Sequence, residues 1–131
     1  MRYPNLGRQN MRDLKSLQKK IEKFVSERDW EQFHSLKNLS MSLSIEAAEL
    51  MEHFQWTDTD DCGPEELDED KYDEIREEIA DILIYSLMFS NEMGIDPLSA
   101  IEEKIEKNEK KYPVQKSKGS AKKYTEFKEE K

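Results

Sequence analysis

The chain holds a single cysteine, Cys62, so it forms no internal disulfide, and that usage fits a reducing compartment. Glycine and proline are scarce, four of each. No Asn-Gly or Asp-Gly pair separates alternating runs, which removes the usual hairpin signals. No stretch approaches the ~18 apolar residues that a membrane-spanning helix needs. Nothing apolar follows the opening Met1-Arg2-Tyr3-Pro4, so we expect no signal peptide and a cytoplasmic protein. No Ser-His-Asp or Cys-His set stands out, so covalent catalysis is not expected. No internal repeat recurs at a solenoid period.

What the chain has instead is charge. Charged residues make up 39% and hydrophobic ones 35%, with a net charge of −9. The imbalance is uneven. Residues 114–131 carry six Lys against three Glu, which leaves 15 bases against 27 acids in residues 1–113. A body that acidic repels a nucleic-acid polymer, which is held mainly by Lys and Arg on phosphates. A small anion remains a candidate ligand if metal ions invert the local charge. At 131 residues we expect one domain, 1–131, with 114–131 as a basic tail or lid whose end is disordered.

Apolar spacing is helical nearly throughout, so the fold class is all-α. Leu14, Leu17, Ile21, Phe24 and Val25 form the stripe of a first helix, about Asn10 to Glu27. Asp29 with Gln32 three residues on reads as a capping box for the next turn. A second helix is expected from about Leu36 to Gln55, and a third from about Asp70 to Met93, closed by Gly94. Asp96-Pro97 is a strong start signal for a fourth, carrying Leu98, Ile101 and Ile105. Its terminal Lys107, Lys110 and Lys111 suit the negative end of the helix dipole. Pro113 bars continuation.

Two helices repeat one arrangement of acids. At about 100° per residue, with Glu46 at zero, Leu39, Leu50, Leu43 and Ala47 fall between about 20° and 100°. Glu49 flanks at about −60°. With Glu78 at zero, Phe89, Ile82, Ile75 and Ile79 fall in the same arc, and Asp81 flanks at about −60°. Each helix therefore places a carboxylate pair at the edge of its apolar stripe. If the two helices pack, four carboxylates converge, and they cannot all stay ionised in a low dielectric without cations between them. An all-oxygen cluster suits Mg²⁺, or Mn²⁺. The alternative is a set of ordinary wet-face acids. A di-iron site is disfavoured, since neither helix carries Glu-x-x-His. His53, four residues after Glu49, reads as a surface residue, and Glu52, Glu74 and Glu77 as solvated acids.

Glu46-x-x-Glu49, followed after 28 residues by Glu78-x-x-Asp81, resembles the metal motif of the MazG-like nucleotide pyrophosphohydrolases. Glu27-Arg-Asp-Trp-Glu-Gln-Phe-His34, Lys37-Asn-Leu39, Phe54-Gln-Trp56, Asp81-Ile-Leu-Ile-Tyr85, Lys111-Tyr-Pro-Val114 and Ser117-Lys-Gly-Ser-Ala-Lys-Lys-Tyr-Thr125 resemble the dCTP pyrophosphatase branch. The likeness spans about Leu14 to Thr125. It implies a four-helix bundle-like fold assembled as a homodimer or homotetramer, and hydrolysis of a nucleoside triphosphate to monophosphate and pyrophosphate. It also implies Mg²⁺ held by Glu46, Glu49, Glu78 and Asp81, with Glu46, Glu49 or Glu78 as the base.

Other residues read beside that resemblance with two meanings each. Trp30 and Trp56 offer faces for a base, or fill the core or an interface. His34 donates to a base edge, or sits half-exposed at a helix end. Lys37 and Asn38 stand about two turns before Glu46, within reach of a phosphate or the base. Tyr85 packs on the sugar by resemblance, or in the core. Lys104, Asn108 and Lys111 share one face, Tyr112 reads with them as a substrate-binding candidate, and Lys118, Lys122 and Lys123 form a basic lid around Gly119-Ser120, or a solvated tail. The expected substrate is dCTP or a 5-substituted dCTP. A broader dNTP or dUTP hydrolase and a non-catalytic helical dimerisation module are the competing readings.

Overall fold

Asp13 opens the first ordered element, accepting a hydrogen bond from the Ser16 N–H at 2.7 Å. The computed structural model describes residues 13–127. Its main helices are α1 Leu14–Glu27, α2 Leu36–Glu52, α3 Glu69–Met93, α4 Pro97–Lys111 and the short α5 Val114–Ser117. Short 3₁₀ turns lie at Glu31–Phe33, Thr59–Asp61, Pro64–Glu66 and Tyr124–Glu126. No strand occurs among the described residues, as the scarcity of turn signals implied. Asn10 lies outside the described residues, and the helix expected from there opens at Leu14 because Asp13 is its cap.

The described residues fall into two compact units that divide between Gly94 and Ile95. In the first, α2 and α3 form the principal pairing and α1 packs on α3. Val25, Leu39 and Met88 are buried, Leu39 almost completely at 1% exposure, with Ile21, Tyr85 and Phe89 packed around them. Each of these three helices thus contributes one buried side chain to the centre. A part-buried hydrogen bond from Gln18 Nε2 to Asn91 Oδ1, 2.9 Å, ties α1 to α3 across 73 residues of sequence.

The link between α1 and α2 corrects one expectation. Asp29 does not cap the following turn. It takes left-handed backbone, φ 53, and ends α1. Its N–H donates to the Ser26 carbonyl, and the Trp30 N–H reaches back to the Val25 carbonyl at 3.1 Å. That pair of bonds is a Schellman motif with Asp in the place glycine usually takes, a conformation Asp tolerates better than most residues. Gln32 Nε2 donates to the carbonyl and carboxylate of Asp29, at 3.0 and 3.2 Å, instead of completing a capping box. The cap of α2 is Ser35, whose Oγ accepts from the Asn38 N–H. The second helix stops at Glu52, earlier than Gln55, with His53 as its C-cap.

Asp68 caps α3 by accepting from the Lys71 N–H, and Gly94 ends it in left-handed backbone, φ 65. Gly94 is the terminator the sequence implied, while the start expected at about Asp70 falls at Glu69 because Asp68 is the cap. In the second unit, Asp96 accepts from the Leu98 N–H and Ser99 Oγ, with Pro97 at the first helical position of α4. After Pro113 the chain does not trail away featurelessly. Tyr112 meets Tyr124 and Phe127 edge-on, with ring centroids 6.0 and 5.9 Å apart. The disorder expected after Thr125 does not hold for Glu126, which closes a 3₁₀ turn, or for Phe127, which meets Tyr112; residues 128–131 lie outside the described residues.

Candidate functional site

Packing α2 on α3 brings the acidic pairs together. Glu46, Glu49 and Glu78 each offer a carboxylate oxygen, and the three oxygens lie within 4.8 Å of one another. Asp81 is not within that group. Its negative charge nevertheless reaches Glu46 and raises its pKa. Three of the four carboxylates singled out in the sequence therefore converge, and the fourth stands beside them.

Glu46 carries the strain of this arrangement. Its Oε2 is buried and has no hydrogen-bond partner. Burial is the main reason that its carboxyl is pushed up to about 7 from an ordinary 4.5; the neighbouring Glu49, Glu78 and Asp81 carboxylates add to it. A buried acceptor without a donor costs roughly 1–3 kcal/mol. No lysine or arginine forms an ion pair with these acids among the described residues. An oxygen-only cluster with an orphaned buried acceptor fits a hard divalent cation, so the residues present suit Mg²⁺ or Mn²⁺.

His53 is a group the sequence reading missed. It is not a surface residue; its side chain is 12% exposed. Nε2 lies 3.7 Å from Glu78 Oε1, and Nδ1 lies 3.8 Å from Glu74 Oε2. The signal was present in the spacing. Seven residues after Glu46 is almost two whole turns, so His53 falls about 20° from Glu46 on the same face of α2. Glu74 is the solvated acid that the sequence suggested, 59% exposed, yet it still meets the imidazole.

A second group of expected residues gathers where α1 runs into α2. Trp30 stands edge-on to both Phe24 and His34, with ring centroids 5.6 and 6.5 Å apart. His34, half-buried, lines a cavity of about 90 Å³ with Ile21, Val25, Leu39 and Met88 at its base. Glu22, Glu31, Asn91 and Glu92 complete its wall. Carboxylates there suit a ligand part that carries N–H donors and repel phosphate. Asn38 donates from Nδ2 to the Phe33 carbonyl at 3.0 Å, which fixes its amide and leaves Oδ1 as the free acceptor. Lys37 is exposed at the start of α2. Tyr85 packs against the Val25–Leu39–Met88 core, the packing role that the sequence left open for it. Trp56, in the turn after α2, is 91% exposed.

In the second unit Lys104, Asn108, Lys118 and Lys123 are exposed. Lys111 Nζ sits 5.0 Å over the Tyr124 ring. Lys118 closes α5 through its backbone, and the Lys123 N–H donates to Glu126 Oε2 at 2.7 Å.

Known proteins resemble this chain over most of its length. dCTP pyrophosphatase 1 of Bos taurus is 40% identical over 104 residues, 79% of this chain and 62% of that protein. The Homo sapiens protein of the same name is 36% identical over 104 residues, covering 79% and 61%. The chain thus spans about three-fifths of the length of the curated relatives it matches. A crystal structure of a pyrophosphatase from Archaeoglobus fulgidus superposes with a TM-score of 0.70 at 45% identity, covering 76% of this chain and 91% of that one. Residues 41–127, which hold all four carboxylates, match the model of the MazG-like family, and the chain belongs to that family.

Proposed function

We propose that the chain hydrolyses a deoxynucleoside triphosphate, dCTP or a 5-substituted dCTP, to the monophosphate and pyrophosphate in the presence of Mg²⁺. The observation that carries this reading is the convergence of Glu46, Glu49 and Glu78 within 4.8 Å around a buried, unpartnered Glu46 oxygen. These three, with Asp81, would hold the ion. When bound, Mg²⁺ neutralises phosphate charge and makes water a stronger nucleophile near neutral pH.

The remaining steps belong to the chain. An oxygen of Glu46, Glu49 or Glu78 takes the proton from a water that attacks phosphorus in line. Taken by itself, the second unit carries Lys104, Lys111, Lys118 and Lys123, with Asn108 and Tyr112 on the same stretch, cations of the kind that attract phosphate. At the other end of the nucleotide, Trp30 and Trp56 supply stacking faces worth ~1–3 kcal/mol per base. His34 and Asn38 read the base edge. A fixed Asn38 amide presenting Oδ1 favours the amino group of cytosine over the carbonyl of thymine or uracil, which supports dCTP over the broader dUTP reading. Tyr85, held in the core, presents a rigid edge for the sugar.

We also propose that the working form is a homodimer or homotetramer. Met41 and Ile45 on α2, and Ile79, Leu83 and Ile84 on α3, are all exposed, and one bundle face needs only about a 100° stripe.

The test is pyrophosphate release from dCTP, CTP, dTTP and dATP, with Mg²⁺ and after chelation. Turnover of dCTP that vanishes on chelation and returns with Mg²⁺ is the expected result. Release that persists without any divalent ion would overturn the metal assignment, and equal kcat/KM for all four nucleotides would overturn the base assignment.

A further inference from the structure

We propose that His53 is a positioning residue for Glu78, its imidazole N–H orienting that carboxylate toward Glu46 and Glu49 and thereby setting the affinity for the divalent ion. The inference rests on the reading of these carboxylates as an ion site and adds to it a residue outside the four-carboxylate motif.

Four observations carry it. His53 is on the same face of α2 as Glu46, two turns on, so it is part of the wall that faces α3. Its side chain is only 12% exposed, and that of Glu78 is 19% exposed, so both are largely shielded from water. A buried polar ring needs a partner, and Nε2 has Glu78 Oε1 at 3.7 Å. The backbone of His53 is also anchored, since its N–H donates to the Leu50 and Met51 carbonyls at the end of α2. The ring is therefore carried by the same helix that carries two of the ion-site carboxylates. A small side-chain rotation closes 3.7 Å to hydrogen-bond length, and such contacts commonly tighten when a ligand arrives.

The physical effect is orientation. Glu78 is shared between the Glu46–Glu49 group and His53. A carboxylate held by a donor on one side has fewer rotamers to lose when its other side engages a cation. Partners of this kind change metal affinity by ~10–100-fold when removed. The Nε2–H tautomer supplies the donor, so the role needs no added charge. Nδ1 then faces Glu74 Oε2 at 3.8 Å, on the wet side, an oxygen that Lys71 Nζ also approaches at 3.9 Å.

The experiment compares His53→Leu, His53→Gln and Glu78→Gln in the full chain. Leucine keeps bulk and loses the donor, and glutamine keeps an N–H. Mn²⁺ binding is read by electron paramagnetic resonance without nucleotide. The Mg²⁺ concentration for half-maximal pyrophosphate release and the kcat at saturating Mg²⁺ are read separately. Circular dichroism confirms helix content in each variant. His53→Leu should weaken Mn²⁺ binding and raise the half-maximal Mg²⁺ by about 10-fold, with kcat at saturating ion within about 2-fold. His53→Gln should recover most of the lost affinity. Unchanged Mn²⁺ binding in folded His53→Leu, beside its loss in Glu78→Gln, would overturn the role of His53 alone. Equal weakening by leucine and glutamine would also overturn it, since the donor would then be irrelevant. Retained Mn²⁺ binding in Glu78→Gln would instead overturn the ion site on which the inference stands.

Discussion

Trp30 meets Phe24 edge to face because the chain between them ends α1 in a left-handed Asp29; the ring centroids are 5.6 Å apart. In a Schellman motif the residue after the left-handed one packs back on the last helical turn. Here that residue is a tryptophan proposed to stack on a base. Phe24 is in turn covered by the Arg28 guanidinium, 3.8 Å above its ring. Phe24→Ala should therefore free Trp30. An edge-to-face pair is worth about 0.5–1.5 kcal/mol, so nucleotide binding should weaken about 2- to 10-fold with the Mg²⁺ requirement unchanged. Tryptophan fluorescence titrated with dCTP and a non-hydrolysable analogue checks this. Unaltered affinity would separate Trp30 from the base.

Glu49→Gln and Asp81→Asn should abolish turnover and leave the fold intact or more stable, because each removes a negative charge from a crowded cluster. Thermal melting without metal and pyrophosphate release with Mg²⁺ measure the two halves. Near-normal release by either variant would remove that residue from the ion site. Asp81 is the more exposed to this test, since it stands outside the group of three.

The metal-free protein should lose stability as pH rises through the window from 4.5 to about 7. Glu46 has an ordinary value of 4.5 and is pushed up to about 7, first by burial. Between those values the folded chain binds a proton that the unfolded chain releases, so stability falls with rising pH. The contribution is fully present below 4.5. Chelated protein should melt higher at pH 5.5 than at pH 7.5, and Glu46→Gln should flatten the difference. Parallel profiles for the two proteins would show that Glu46 is not the group responsible.

Light scattering at micromolar concentration should give a mass of two or four times 15.6 kDa. A charged residue placed on the exposed part of α3, as in Leu83→Glu, should shift that mass toward the monomer. Leu83 is 57% exposed, so the substitution leaves the buried centre of one chain in place. A wild-type monomer would leave the exposed apolar residues of α2 and α3 without a partner subunit to account for them.

Selectivity for cytosine should reside in an acceptor. Asn38→Asp keeps an oxygen toward the base and loses the amide donor to the Phe33 carbonyl, while Asn38→Ala loses both. The ratio of kcat/KM for dCTP over dTTP should fall further in Asn38→Ala than in Asn38→Asp. Discrimination of this kind comes from hydrogen bonds that the wrong base leaves unmade. An unchanged ratio in Asn38→Ala would exclude the residue from base reading.

Local chemistry made much of this protein readable in one dimension. Asp68, Asp96-Pro97 and Gly94 set their helix ends through side-chain caps and a left-handed terminator, interactions that reach no more than four residues. The carboxylates of α2 and α3 were legible because a helix repeats every 3.6 residues and an acid inside an apolar stripe needs a reason. What the sequence could not show was which of two adjacent helices reaches across, and how far. Asp29 had the composition of a cap, but its N–H and that of Trp30 bond back to the Ser26 and Val25 carbonyls, and it ends α1 instead. His53 had the composition of a surface residue, but the α2–α3 pairing placed Glu74 and Glu78 against its ring. Glu46 lost its partner, and its ordinary pKa, only when packing took its Oε2 out of water. Burial and distance between helices depend on the sum of many weak side-chain contacts over long sequence separations, and no local signal carries that sum.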